Sequence, residues 1–236
     1  ICFHHALLDG WSLTRLFGPI GEHYDALVQG KSLSQHSNRS LRDFMEYLRK
    51  QDQHAAEQYF HRYLDGMTLP TPLPGYKHRS NKRSQDSEKM EQHVVELTSS
   101  LTDGLVQLVR REGVTLNSLI QASWGSILGR MTGIDDVVFG ATVSGRPHEL
   151  TDIENRVGLF INTLPVRVRL RPDINAIELA KEIQNDQLEG QLYQHTPLVN
   201  IQKGLGQKEL FDSVMVFENY PLDEQILRKW AGLSIV

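Results

Sequence analysis

Residues 116–131 carry apolar side chains round most of a helical wheel: Leu119, Ile120, Ala122, Trp124, Ile127 and Leu128. A helix of that kind is stable only when several of its sides are covered, so it should be deeply buried. Directly after it, Val137-Val138-Phe139-Gly140 opens a strand that leads to the turn Ser144-Gly145-Arg146-Pro147. A buried helix next to a strand calls for further layers, and the flanking sequence supplies them. Leu101, Leu105, Leu108 and Val109 mark a helix ending near Gly113. Residues 93–97 and 159–170 are β-rich, the second with Val166 and Val168 alternating with Arg167 and Arg169. Residues 174–193 read as a helix and residues 210–217 as an apolar strand. The pattern is mixed α/β, with strands and helices interleaved.

The first part of the chain reads as helical. Ser12 is the expected N-cap of a helix whose apolar positions are Leu13, Leu16, Phe17, Ile20, Leu27 and Val28, with Gly30 as its stop. Pro19 should kink that helix or split it. Residues 31–40 are loop-like. A second helix is expected over 41–64, burying Phe44, Leu48, Tyr59, Phe60 and Tyr63. Pro70, Pro72 and Pro74 break the pattern, and residues 75–92 read as a polar, exposed connection. The chain opens on Ile1-Cys2-Phe3, like the end of a strand, and stops on the apolar run 232–236. These ends point to a fragment of a larger chain.

Composition narrows the function. Among 236 residues, 25 Lys and Arg face 29 Asp and Glu, for a formal net charge of −4. That balance offers no electrostatic footprint for nucleic acid or an anionic membrane. No apolar run approaches the roughly 20 residues of a membrane-spanning helix. The single Cys2 cannot form an internal disulfide and has no basic partner to activate it, and no Cys/His cluster has zinc spacing. No metal site is expected, and the cysteine usage points to a reducing, cytoplasmic setting.

The chemistry concentrates in His4-His5-Ala6-Leu7-Leu8-Asp9-Gly10, two histidines at a strand end followed by an Asp-Gly turn into a helix. A neutral imidazole there can accept a proton from an amine or hydroxyl near pH 7. Gly10 permits a tight turn, and its N–H near a helix start can meet developing negative charge. Asp9 either orients a histidine or pairs with an arginine to hold the loop.

The motif, extended through Trp11-Ser12, resembles the His-His-x-x-x-Asp-Gly signature of condensation domains from nonribosomal peptide synthetases. Residues 157–165, Val-Gly-Leu-Phe-Ile-Asn-Thr-Leu-Pro, are similar to that family's Val-Gly-x-Phe-x-Asn-Thr motif. The stretch 139–147, through Ser144-Gly145-Arg146-Pro147, and the stretch 210–221 are also typical of it, in the family's order. The resemblance implies an α/β fold of chloramphenicol acetyltransferase-like lobes. This chain would hold the end of the N-terminal lobe (1–66), an exposed connection (67–92) and most of the C-terminal lobe (93–236). Without the first lobe, the 236 residues alone are expected to be inactive.

By the same resemblance, the amine of an acceptor aminoacyl thioester attacks the carbonyl of a donor acyl or peptidyl thioester and an amide forms. Both substrates ride on the phosphopantetheine of donor and acceptor carrier proteins, an adenylation domain lies in the same polypeptide, and the domain binds no cofactor of its own. His5 is the residue at the reaction centre, with His4 packed beside it as a prop. Asp9 forms an ion pair with Arg146. Asn162 is placed near the substrate channel, or equally is a strand Asn that satisfies neighbouring backbone, and Trp11 is a candidate lining residue there, although a large aromatic at helical spacing also suits a core, as does Trp124. His195 before Thr196-Pro197-Leu198 departs from the family's later motif, which has Gln, an aromatic and Pro after the His or Asn. The alternatives of the same build are an epimerisation domain and a carrier- or coenzyme A-dependent acyltransferase. A non-catalytic carrier-docking module is the alternative of a different class.

Overall fold

Short-range capping decides where the helices begin. The computed structural model describes residues 4, 6–32, 40–67, 70–75 and 91–218. Asp9, in extended backbone, accepts the Ser12 N–H at 2.8 Å and so starts α1 (Gly10–Val28). The cap therefore sits three residues before the expected Ser12, because the carboxylate reaches the third N–H and the Ser12 hydroxyl is engaged elsewhere. α1 is not split at Pro19, whose missing N–H deletes one rung of the ladder. It ends where Gly30 turns left-handed and the Lys31 N–H returns to the Ala26 carbonyl.

The single helix expected over 41–64 is two helices, α2 (Arg42–Lys50) and α3 (Gln53–Tyr63). Asp52 between them leaves the helical region and its carboxylate caps the Ala55 N–H, overriding the apolar period. Thr98 and Thr115 cap α4 (Ser99–Glu112) and α5 (Leu116–Thr132), and left-handed Gly113 and Gly133 end them. β1 (Asp136–Val143) pairs antiparallel with β2 (Asn162–Arg169), setting Phe139 opposite Val166 and Val143 opposite Asn162. A capping box of Asn175 and Glu178 starts α6 (Ala176–Gly190), which α7 (Leu198–Gly204) follows. β3 (Val214–Met215) joins β1 in parallel, so the sheet order is β2-β1-β3.

One core lies between the sheet and α4, α5 and α6, built on Val137, Phe139, Val166 and Val168 against Leu128, Ala180 and Ile183. Gly125 of α5 lets the helix approach β2, since a Cβ there would stand 2.7 Å from the Val168 methyls. A second core joins Phe60 of α3 and Leu64, just after it, to Val138, Leu164, Ile201 and Leu210. Residues before 67 thus share a core with residues after 93.

Several expectations from sequence change here. α5 is buried on one side only: Ile127 and Met131 are exposed, because α6 and the sheet occupy the opposite side. Residues 93–97 form no strand and stay exposed, for no neighbouring strand pairs with them among the described residues. The connection 67–92 is not exposed at its start. Thr71 is buried, donates its backbone N–H to Leu210 and accepts the Val138 N–H on its hydroxyl. Arg167, which alternates with Val166 and Val168, is buried as they are, because α3 covers that side of β2; Asp136, at 2.6 Å, and the Tyr63 and Asp65 carbonyls hold its guanidinium. Of residues 210–217, only Val214–Met215 is strand. The expected strand ends at 1–3 and 232–236, residues 33–39 and residues 76–90 lie outside the described residues.

Candidate functional site

The loop between β1 and β2 folds back onto the start of α1. Arg146, just beyond β1, bonds Asp9 through Nη2 at 3.1 Å to both carboxylate oxygens. Its Nη1 reaches the Ile153 and Arg156 carbonyls at 2.8 and 3.0 Å, and the Phe160 ring lies 4.0 Å from the guanidinium carbon. Asp9 is 1% exposed, so this is a desolvated pair. Burial draws the Arg146 guanidinium below its usual range and the Asp9 carboxylate opposes that shift, so the side chain stays cationic at neutral pH.

Asp9 has two further roles. One oxygen caps α1, and the other accepts the Phe160 N–H at 3.1 Å. Ser12 completes the joint. Its hydroxyl donates to the Gly158 carbonyl at 2.7 Å and accepts both the Gly158 N–H at 3.0 Å and Arg146 Nη2 at 3.1 Å. All three hydrogen-bonding positions of that hydroxyl are filled. The Asp9 N–H also donates to Gly158. Gly158 and the Phe160 N–H, which have no sheet partner, thus find their backbone partners in Asp9 and Ser12. Gly145 makes the approach possible: at φ +60, its Cβ position would collide with the Phe160 carbonyl. α2 braces the same loop through Arg156 Nη2 to Asp43 at 3.1 Å and the Phe44 and Phe160 rings 4.8 Å apart.

The other sequence candidates fall as follows. His5 and Cys2 lie outside the described residues. His4 is exposed instead of packed; its Nδ1 accepts the Ala6 N–H at 3.1 Å and its carbonyl the Leu7 N–H, so its ring closes its own turn. Gly10 is the first residue of α1 and helical, with no left-handed turn. Trp11 donates Nε1–H to the Glu154 carbonyl at 2.8 Å, with Arg15 over its ring. Trp124 packs on the first core and donates to Ser213. Among the described residues Asn162 bonds backbone alone: Nδ2 donates to the Gln194 and Thr196 carbonyls at 2.9 and 2.7 Å, and Oδ1 accepts the Thr163 N–H. Its amide holds the 194–196 loop on β2, and His195 lies within that loop. Burial pushes the His195 imidazole below its usual range, against the hydrogen bond it donates to the Leu192 backbone, and Nε2 is buried without a partner among the described residues. Among the described residues no cluster of three His, Cys, Asp or Glu could hold a metal, and no helix is long and apolar enough to cross a membrane.

The clamp by Ser12 and the brace between Arg156 and Asp43 are not legible in the sequence as site features. The three-residue spacing from Asp9 to Ser12 does carry the N-cap signal, but nothing local announces Gly158 as the hydroxyl's target.

Comparison with known proteins places this arrangement. The chain is 39% identical over 230 residues to a linear gramicidin synthase of Brevibacillus parabrevis, covering 94% of this chain and 3% of that protein. It is 37% identical over 223 residues to bacitracin synthase 3 of Bacillus licheniformis, covering 94% and 4%. Among solved structures, the first condensation domain of the CDA synthetase superposes with a TM-score of 0.73 at 19% identity, over 92% of this chain and 48% of that one. The X-domain from teicoplanin biosynthesis superposes at 0.70 with 21% identity, over 89% and 49%. The chain thus spans a few per cent of its curated relatives and about half of these solved chains, and its α/β fold is the chloramphenicol acetyltransferase-like fold they share. The family model described as "Condensation domain" matches residues 1–232, and the chain belongs to the condensation-domain family.

Proposed function

We propose that the chain is part of an amide-forming condensation domain in a nonribosomal peptide synthetase. The amine of a carrier-bound acceptor aminoacyl thioester attacks the carbonyl of a carrier-bound donor. A C–N bond forms, the C–S bond breaks, and the donor's thiol leaves. His5 takes the amine's proton or orients it, assistance worth about 10²–10⁴-fold for a general base. The partners are donor and acceptor carrier proteins bearing phosphopantetheine and an adenylation domain of the same polypeptide. The observation that carries this reading is the Asp9–Arg146–Ser12 joint, which anchors the turn after His4 to the loop that leads into Asn162. Such a joint fixes the motif's distance from the start of β2, as a reaction between two tethered substrates requires.

The test is product formation by the synthetase carrying this domain, with loaded donor and acceptor carriers, wild type beside His5→Ala. Loss of the amide product by at least about 10²-fold supports the reading. Equal product from both would identify a carrier-docking module. Inversion of the donor's stereocentre without amide formation would identify an epimerisation domain.

A further inference from the structure

A cavity of about 320 Å³ lies between α3, α6 and the β1–β2 pair, apart from the Asp9–Arg146 joint. Its walls are the Tyr59 and Tyr63 rings and the aliphatic faces of Leu164 and Pro165, with the amides of Asn117 and Gln187 at one side. This is the size and lining of a site for a small organic molecule. Asp186 is the one acidic or basic side chain in that lining. Burial raises Tyr59 to about 12 and pushes Tyr63 up as well, so both remain neutral phenols.

Asp186 lines this space. Its backbone carbonyl accepts the Tyr59 hydroxyl at 3.2 Å, and Gly190, one turn further along the same face of α6, would set a Cβ 2.9 Å from that hydroxyl. The glycine leaves room there that any side chain would fill. No hydrogen bond or ion pair holds the Asp186 carboxylate among the described residues, and burial raises its pKa. The charged groups that act on it are Glu182 and Glu189 of α6 and Arg167 and Arg169 of β2. Arg167 is already bound to Asp136 and two carbonyls, Glu182 is bound to Arg171 at 2.7 Å, and Arg169, the charge that acts on Asp186 most strongly, is exposed without bonding it. The local balance is negative, with an unpaired, half-buried carboxylate at the wall of an aromatic-lined cavity.

We propose that this cavity binds a small organic cation, a primary amine with an aromatic or branched apolar body, its ammonium on Asp186 and its body on the Tyr59 and Tyr63 rings. An anion is excluded by the carboxylate, and a neutral ligand leaves it unpaired. The proposal does not rest on the condensation reaction.

The probe pair is 2-phenylethylamine and its neutral isostere 2-phenylethanol, titrated into the full chain at pH 7 and followed by NMR of the side-chain amides. The amine is expected to saturate at about millimolar concentration with shifts at Asn117 and Gln187, and the alcohol to bind at least about tenfold more weakly. Asp186→Asn should bring the two within about twofold, by weakening the amine alone. Equal binding of amine and alcohol to the unaltered chain, no saturable amine binding, or shifts confined to other residues would each overturn the proposal. The comparison on the unaltered chain decides without any variant; full amine affinity in a folded Asp186→Asn protein would also overturn it.

Discussion

Asp9 is the residue whose loss should damage the molecule most, because one carboxylate serves three partners. Asp9→Ala leaves the Arg146 guanidinium, 6% exposed, as an uncompensated buried charge, an effect of about 3–5 kcal/mol. It also removes the side-chain cap of α1, which is worth about 1 kcal/mol. The Phe160 N–H is orphaned as well. The combined loss, about 4–6 kcal/mol, is comparable with the 5–15 kcal/mol that holds a typical domain together. Urea denaturation of the full chain, followed by far-ultraviolet circular dichroism, reads this directly. The informative experiment is a double-mutant cycle with Arg146→Met, which removes the charge and keeps much of the stem. If the pair is buried as described, Asp9→Ala and Arg146→Met should each be severe, and the double variant should lose less than their sum by more than about 1 kcal/mol. Additivity within about 0.5 kcal/mol, or a loss below about 1 kcal/mol for Asp9→Ala, would refute the reasoning.

Three other outcomes follow from the same geometry. Gly145→Ala should destabilise the chain by more than about 1–2 kcal/mol, since the left-handed backbone alone costs that much and the new methyl meets the Phe160 carbonyl; an unchanged denaturation midpoint would contradict it. Asn162→Ala frees the Gln194 and Thr196 carbonyls, so amide exchange over residues 191–197 should accelerate; if exchange is unchanged while the synthetase loses product, the side chain serves the substrate instead of the loop. The third concerns pH. His195 is held below its ordinary value when folded, so the unfolded chain binds the extra proton first. Stability from this group is present above pH 6.5 and declines as the pH falls below that value. His195→Phe should flatten the fall in melting temperature between about pH 7.5 and 5.5, and an identical pH profile would count against the assignment.

Legibility differs by element. The strands around Val138 and Val166 and the helix after Thr98 are plain because alternation, apolar period and caps lie within a few residues of one another. The break at Asp52 is hidden because the apolar pattern runs on across a cap that the sequence does contain. Residues 93–97 have strand character and form none, since a strand needs a neighbour that local sequence cannot supply. Alternation turns Arg167 outward on its strand, but α3 covers that face, and Asp136 neutralises it from the facing end of β1. In the site, the motif turn is recognisable and the pairing of Asp9 with Arg146 comes from family resemblance. The use of Ser12 as a clamp on Gly158 comes from neither.

The amino-acid order by itself determined where the capped helices start and stop, because a capping side chain or a left-handed glycine acts on backbone groups within about four residues. Tertiary structure alone decided which polar groups are buried as partners. Asp9 and Arg146 stand 137 residues apart, and Ser12 and Gly158 stand 146 apart. A buried charge or an unpaired N–H is satisfied by whatever folding brings within about 3 Å, and no local preference specifies that partner.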